Sequence, residues 1–562
     1  MYTNRNRIYS ALLRLFLVVG LGAGLTACTS DPGLHKDLAA VATKIPQVSA
    51  RHGMVASAHP LASQAGLTIL KAGGNAVDAA VATAFANSVV EPNANGLGGE
   101  GMMVIWLADQ RKAVAIDYRS MAPLADKTGQ KWPSSGPLSV AVPGTVAGLC
   151  MALEKYGTKS LQEVMAPAIR LAEDGFVISP TLSQSIADDF GAINKEAPLA
   201  KILAPEGLPL EAGEVLKNPD LAKSLRKIAA GGRDVFYKGE LADAIASDMA
   251  AKGGLISKAD LAAYQAIERD PVRGSYRGFD ILSAPPPVSG LTVIESLHIL
   301  ENFDLVKHAP LSKANVHLIA EALKRGFADN AEYIGDPAFA KVPVARLLSK
   351  GYAKSLAQDI PLDIASREIK AGEPSNEHPS TTHMSTADQM GNMVALTQTI
   401  SGFWGAHTIP AGTGIILNNE MQNWSSKGPN TYAPGKRMRT TIAPTILLKD
   451  GQVFASLGTP GAARIISTMV ILITNLVDHG MTIQQAIESP RFYTRESEKN
   501  IHLESRIPGQ TLEELKTMGY STSVKGAYDL FFGGAQGIVV DPKRHIFTGG
   551  ADPRRDGAVL GY

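Results

Sequence analysis

Ser380-Thr381-Thr382-His383 places three hydroxyls and an imidazole at the head of a segment, Glu377 to Thr399, that reads as a β-hairpin. His383, Ser385 and Ala387 alternate with their neighbours, Asp388 to Asn392 supply turn residues, and an apolar, β-branched run resumes at Met393. Ser and Thr often begin elements, so turn chemistry alone would account for them. The other reading is a nucleophile. An internal threonine hydroxyl is weak, and no suitable base adjoins Thr381 in sequence. Were the Ser380–Thr381 bond cut, Thr381 would carry its hydroxyl beside a free α-amine, which titrates near pH ~8. Much of that amine is neutral at working pH and accepts the hydroxyl proton, the N-terminal threonine form of nucleophilic catalysis. One peptide cleavage supplies the base.

Acyl chemistry also needs donors for a developing oxyanion. "SLGTPGAARII", Ser456 to Ile466, reads as a strand end, a Pro-Gly turn and a helix start. Gly461 and Ala462 then lie near the positive end of that helix. One such donor is worth roughly 3–4 kcal/mol in a hydrolase. Standing alone, the loop would be an ordinary helix start. Other motifs fail on context. "GLGGEG", Gly96 to Gly101, satisfies a dinucleotide fingerprint literally, with Asp117 downstream, but the helix precedes it and the strand follows it. Close backbone packing is the expectation there. "GTPGAAR" lacks the Lys-Ser/Thr of a phosphate loop. The 12 histidines show no zinc-ligand spacing, and the cysteines are only Cys28 and Cys150. No metal or cofactor is called for. Lys+Arg 54 against Asp+Glu 53 gives no electrostatic footprint for nucleic acid.

The elements that must hold these residues can be sketched. Arg5, Arg7 and Arg14 precede "LFLVVGLGAGL" and then "LTAC", Leu25 to Cys28, which resembles a bacterial lipobox. The expectation is a signal peptide over 1–27, acylation of Cys28, a tether over 28–47, and a place on the periplasmic side of a bacterial membrane, the outer one by virtue of Thr29. An ordinary secretory signal is the alternative. In "HPLASQAGLTILKAGG" apolar residues repeat at helical spacing and stop at Gly73-Gly74, and Asn75 caps a second helix that ends near Glu91-Pro92. "MMVIWLAD" and "KAVAIDYR" read as paired strands, "TVAGLCMALEKYG" as a helix, and about 160 to 380 as mostly helical. After Thr381 come hairpins: "GIILNN", "APTILLKDGQVFASLG" with its Asp450-Gly451 turn, and "GAQGIVVDPKRHIFTGG", with the helix "ARIISTMVILITNLVDHG" between. Stacked sheets covered by helices follow.

From about Val48 to Tyr562 the chain closely resembles the γ-glutamyltransferase (γ-glutamyltranspeptidase) family of N-terminal-nucleophile hydrolases. The landmarks include "GGNAVDAAVATAFANSVVEPNANGLGGEGMM", "IDYRSMAP", "PPPVSG", "STTHMS", "LNNEM", "TTIAPTILLKDG" and "LGTPGAARII". The resemblance implies an α+β, four-layer αββα sandwich and self-cleavage between Ser380 and Thr381. A large subunit, 48–380, and a small one, 381–562, would then share one domain as a heterodimer. It implies Thr381 as nucleophile, Thr399 as its hydrogen-bond partner, and Gly461 and Ala462 at the oxyanion, where Ala serves equally if only its N–H is used. Arg119 matches the arginine that grips a substrate α-carboxylate, a task suited to its planar fork. Thr440 and Thr441 stand where a Ser pair usually binds that group, and Glu420 fits a substrate-amine contact. Asn423 replaces the usual Asp, as in the cephalosporin (glutaryl) acylase branch, and Ser401 stands where Asn is common. Only "SSKGPNTYAPGK" separates Trp424 from "RMRTT", which implies an open pocket without a lid. The expected activity is hydrolysis of γ-glutamyl amides such as glutathione, with transfer to water or an amine. The alternatives are a glutaryl-type acylase and a non-catalytic surface lipoprotein.

Overall fold

The computed structural model describes residues 45–366, 369, 380–496 and 500–562. The expected signal peptide, the acylated Cys28 and the tether up to residue 44 lie outside the described residues. Two seven-stranded sheets dominate. One runs in the order Val48–Ala50, Ile546–Ala551, Gln536–Asp541, Gln452–Gly458, Thr445–Lys449, Phe279–Ser283, Val272–Tyr276. The other runs Ala558–Gly561, Gly53–Ser57, Thr382–Asp388, Met393–Thr399, Glu100–Leu107, Lys112–Tyr118, Ile267–Arg269. Every pairing within both is antiparallel.

The period-two pattern of the strands builds the layers. Met102, Val104 and Trp106 share one apolar cluster with Ala455, Leu457 and Ile538 of the facing sheet. Met103, Ile105 and Leu107 point the other way, into a cluster with Val81 and Phe85 of the helix Ala76–Val90. Arg464–Val477 and Gly290–Leu300 cover the opposite outer face. The fold is therefore the expected αββα sandwich. All 15 residues of Ala76–Val90 are buried, and its start is set by a capping box: the Asn75 side chain accepts from the N–H groups of Val77 and Asp78, and Asp78 accepts from that of Asn75.

Two expectations change. The region read as mostly helical also contributes Val272–Tyr276 and Phe279–Ser283, which complete the edge of one sheet. "GIILNN" forms no strand; Leu417 makes a single bridge to Gly98, and a 3-10 turn, Glu420–Asn423, follows. Asn418 explains why: its amide donates to the carbonyls of Gly98 and Ala141, so the segment is tied to two loops instead of to a neighbouring strand.

Candidate active site

Sheet register gathers the residues. Thr382 lies opposite Gln398, so Thr381, one step before, faces Thr399. Thr399 lies opposite Glu100 on its other side. Gly101 lies opposite Tyr118, which sets Glu100 across from Arg119. Thr381, Thr399, Glu100 and Arg119 thus form one row across four adjacent strand ends, and residues in such a row share a face of the sheet. Three strand spacings make the row about 14 Å long, backbone to backbone.

At one end, Thr381 Oγ1 donates to Thr399 Oγ1 at 3.0 Å. Thr399 Oγ1 also accepts the N–H of Ser401 at 2.8 Å, and Ser380 Oγ donates to the Ser401 carbonyl at 2.6 Å. The N–H of Thr381 donates to Ala94 and its carbonyl accepts from Arg555, at 3.1 and 3.0 Å. Thr381 is held at φ 96°, a region a β-branched residue avoids, at a cost of order 1–3 kcal/mol. The strain falls on the residue that follows the Ser380–Thr381 bond. His383, two residues on, is not a base for it: its nitrogens are engaged by the Thr397 and Ser385 hydroxyls, and burial pushes the imidazole down to about 3.

At the other end, Arg119 Nη1 pairs with Glu100 Oε1, and Nη2 reaches Glu420 Oε2 and the Met438 carbonyl, each at 3.5 Å. The second oxygen of Glu100 accepts the Ser120 N–H at 2.7 Å and the Ser120 hydroxyl. Asn423 Nδ2 donates to Glu420 Oε2 at 2.8 Å and to Ser401 Oγ at 2.9 Å, closing a chain of contacts back toward Thr399. Thr440 and Thr441 are buried just beyond Met438, Thr440 through the Pro287 carbonyl and the Ser289 hydroxyl. Arg119 is 0% exposed, Glu420 1%, Thr381 and Asn423 4%. Trp424 and Tyr432 pack with Trp132, ring centroids 5.6 and 5.1 Å apart along the trio, against the buried Met421 and Met438.

Beyond the strand Gln452–Gly458, Gly461 and Ala462 stand at φ 130° and 51°, immediately before the helix Arg464–Val477. Gly461 packs against Gly533, and Gly534 against the Arg555 side chain that holds the Thr381 carbonyl. Sequence reasoning missed Glu100, Arg555 and Glu91. Glu91 accepts from Thr382 Oγ1 at 2.6 Å and lies 3.6 Å from Arg555; burial pushes its carboxyl up to about 7, against the pull of that guanidinium. Both line a cavity of about 470 Å³ with Phe403, Tyr528 and Asp556. Nothing in "PRRDG" signals Arg555, but Glu100, a charge opening the apolar run "EGMMVIWL", was visible. Among the described residues no cluster of three or more His, Cys, Asp or Glu could hold a metal, and no helix is long and apolar enough to cross a membrane.

Comparison with known proteins matches the Gamma-glutamyltranspeptidase family model to residues 62–562. The chain belongs to the gamma-glutamyltranspeptidase family. Within it, the chain is 40% identical to a glutathione hydrolase proenzyme of Escherichia coli K12, over 92% of this chain and 93% of that one. It is 44% identical to an Acylase ACY 1 proenzyme of Pseudomonas sp. SE83, over 91% and 94%. Its fold is similar to that of a cephalosporin acylase from Bacillus halodurans, with a TM-score of 0.87, 31% identity, and 96% and 99% of the two chains covered. Gamma-glutamyltranspeptidase-family relatives of both kinds, hydrolase and acylase, are thus nearly equally similar to it, and both are proenzymes.

Proposed function

We propose that the chain is a self-processing acyl-amide hydrolase and transferase. Thr381 Oγ1 attacks its own preceding carbonyl, the Ser380–Thr381 amide is exchanged for an ester on that hydroxyl with release of the α-amine, and water hydrolyses the ester to a Ser380 carboxylate and a free hydroxyl, for which the α-amine becomes the base. The new N-terminal threonine then takes the acyl group of an amide as an ester, which water or an amine acceptor releases. The observation that carries this reading is the 3.0 Å contact from Thr381 Oγ1 to Thr399 Oγ1 at a residue held in a strained backbone. Thr399 orients the hydroxyl, and the Gly461-Ala462 turn is the oxyanion site.

The acyl group divides into two readings. Glu420, a carboxylate at the far end of the row, supports γ-glutamyl amides, glutathione among them. Asn423 favours the second, an acylase for chains without the α-amine, because an amide beside Glu420 tolerates a neutral group. The test is direct. Purified wild type should give two chains, the smaller beginning Thr-Thr-His-Met, and should hydrolyse an acyl-p-nitroanilide; Thr381→Ala should remain one chain. Wild type that is active while uncleaved ends this mechanism.

A further inference from the structure

Both acyl groups weighed above, γ-glutamyl and glutaryl, end in a carboxylate, and Arg119 is the cation at hand to receive it. That cation is already matched. Glu100 lies across the sheet from Arg119, its Oε1 on the guanidinium and its Oε2 anchored by the N–H and hydroxyl of Ser120. The Arg119–Glu100 pair is fully buried. Glu420 faces the second Arg119 nitrogen at 3.5 Å. Asp117, which accepts the Arg119 N–H, is itself held by Arg269 and Arg437 at 2.7 and 2.8 Å and adds no unmatched charge. Two carboxylates therefore already face one guanidinium at the acyl end of the row. A third, brought by substrate, would meet two carboxylates already on that guanidinium, and like charges side by side are costly.

We infer that Glu100 is a specificity-determining residue: it stands in the carboxylate position on Arg119 and turns the acyl pocket toward acyl groups that lack a terminal carboxylate. The inference rests on the Thr381 acyl-transfer reading and concerns only which acyl chain that site accepts. A chain bearing an amine alone is compatible with Glu420, and an uncharged chain leaves the existing pairing undisturbed.

The experiment uses four p-nitroanilides in two pairs that differ only by the carboxylate: γ-glutamyl against 4-aminobutyryl, and glutaryl against butyryl. Wild type is expected to show a higher kcat/KM for the carboxylate-free member of each pair, by about ten-fold or more given what like-charge contact costs. Glu100→Gln, which frees Arg119 from one carboxylate while keeping shape, is expected to move both ratios toward the carboxylate-bearing member, chiefly through KM. A merely structural role for Glu100 would lower activity on all four compounds together and leave both ratios in place; that result overturns the proposal. So does a wild-type preference for the carboxylate-bearing member in both pairs, which is decisive even if Glu100→Gln does not fold. Processed wild type that hydrolyses none of the four overturns the Thr381 reading and this one with it. Processed, active enzyme with the wrong preference overturns this one alone.

Discussion

Asn423 meets Glu420 through its amide nitrogen at 2.8 Å, so Asn423→Asp would set two carboxylates in contact. Ionised, the pair would attract a substrate ammonium by a charge-assisted bond where the amide offers a neutral one. The expected outcome is a gain of about ten-fold for γ-glutamyl- over glutaryl-p-nitroanilide, from about 1–2 kcal/mol of net hydrogen-bond energy. Like charges in contact raise one of the two pKa values, so the gain should fade as pH is lowered and the pair takes up a proton. A preference that stays flat across pH would show that Asn423 does not face the amine. His383 makes a prediction about stability. Its folded-state value is pushed down to about 3 by burial, against about 6.5 in an unfolded chain. The unfolded state therefore binds a proton that the folded state refuses between those two values. Stability from this group is complete above about pH 6.5 and is lost as pH falls toward 3. Thermal unfolding across that range should show a falling Tm in wild type and a shallower fall in His383→Gln.

The helix Thr145–Tyr156 shows how an element positions a residue it does not contain. Gly148 lies within it, and a Cβ there would overlap the buried Tyr118 ring, at the end of the strand that leads to Arg119. Helix propensity alone would make Gly148→Ala stabilising by about 1 kcal/mol. Overpacking against a buried ring costs about 1–3 kcal/mol, so the clash wins. Gly148→Ala should lower Tm and raise KM through displacement of Arg119, with self-processing retained; an increase in Tm would show that Tyr118 can retreat. Elements of this kind were legible where their punctuation is strong. Asn75 after Gly73-Gly74, and Asp450-Gly451 between apolar runs, mark boundaries that the structure reproduces. The edge strand Val272–Tyr276 and its neighbour Phe279–Ser283 were not, because they are short, only part-buried, and embedded between helices. Glu100 was passed over for a different reason. It sits in a glycine run whose interest lay in its resemblance to a nucleotide loop, whereas the glycines serve close packing: Gly98 against the Ile416 carbonyl and Gly99 against that of Thr399. A cross-strand pair such as Glu100–Arg119 depends on register, and register is not written in either strand alone.

In the molecule as a whole, the order of strands matters more than their number. Taking Ser380–Thr381 as the boundary, Thr382–Asp388 is hydrogen-bonded between Gly53–Ser57 of the large segment and Met393–Thr399 of the small one, and Glu100–Leu107 follows from the large segment again. The second sheet is shared likewise, with Val48–Ala50 at one edge and Phe279–Ser283 joined to Thr445–Lys449. Neither segment can close a sheet or cover a core by itself. Cut protein should therefore elute as one species in gel filtration and unfold in one transition, with both fragments released together; separation of the fragments under native conditions would contradict it. Refolding should distinguish the two forms. Thr381→Ala, uncut, should recover its structure on dilution from denaturant, while the cut pair should not. An interleaved sheet of this kind is assembled once, while the chain is continuous. If the Ser380–Thr381 bond is cut, the molecule would endure by the height of the barrier to pulling its strands apart, and its working life would be a rate of unfolding instead of an equilibrium.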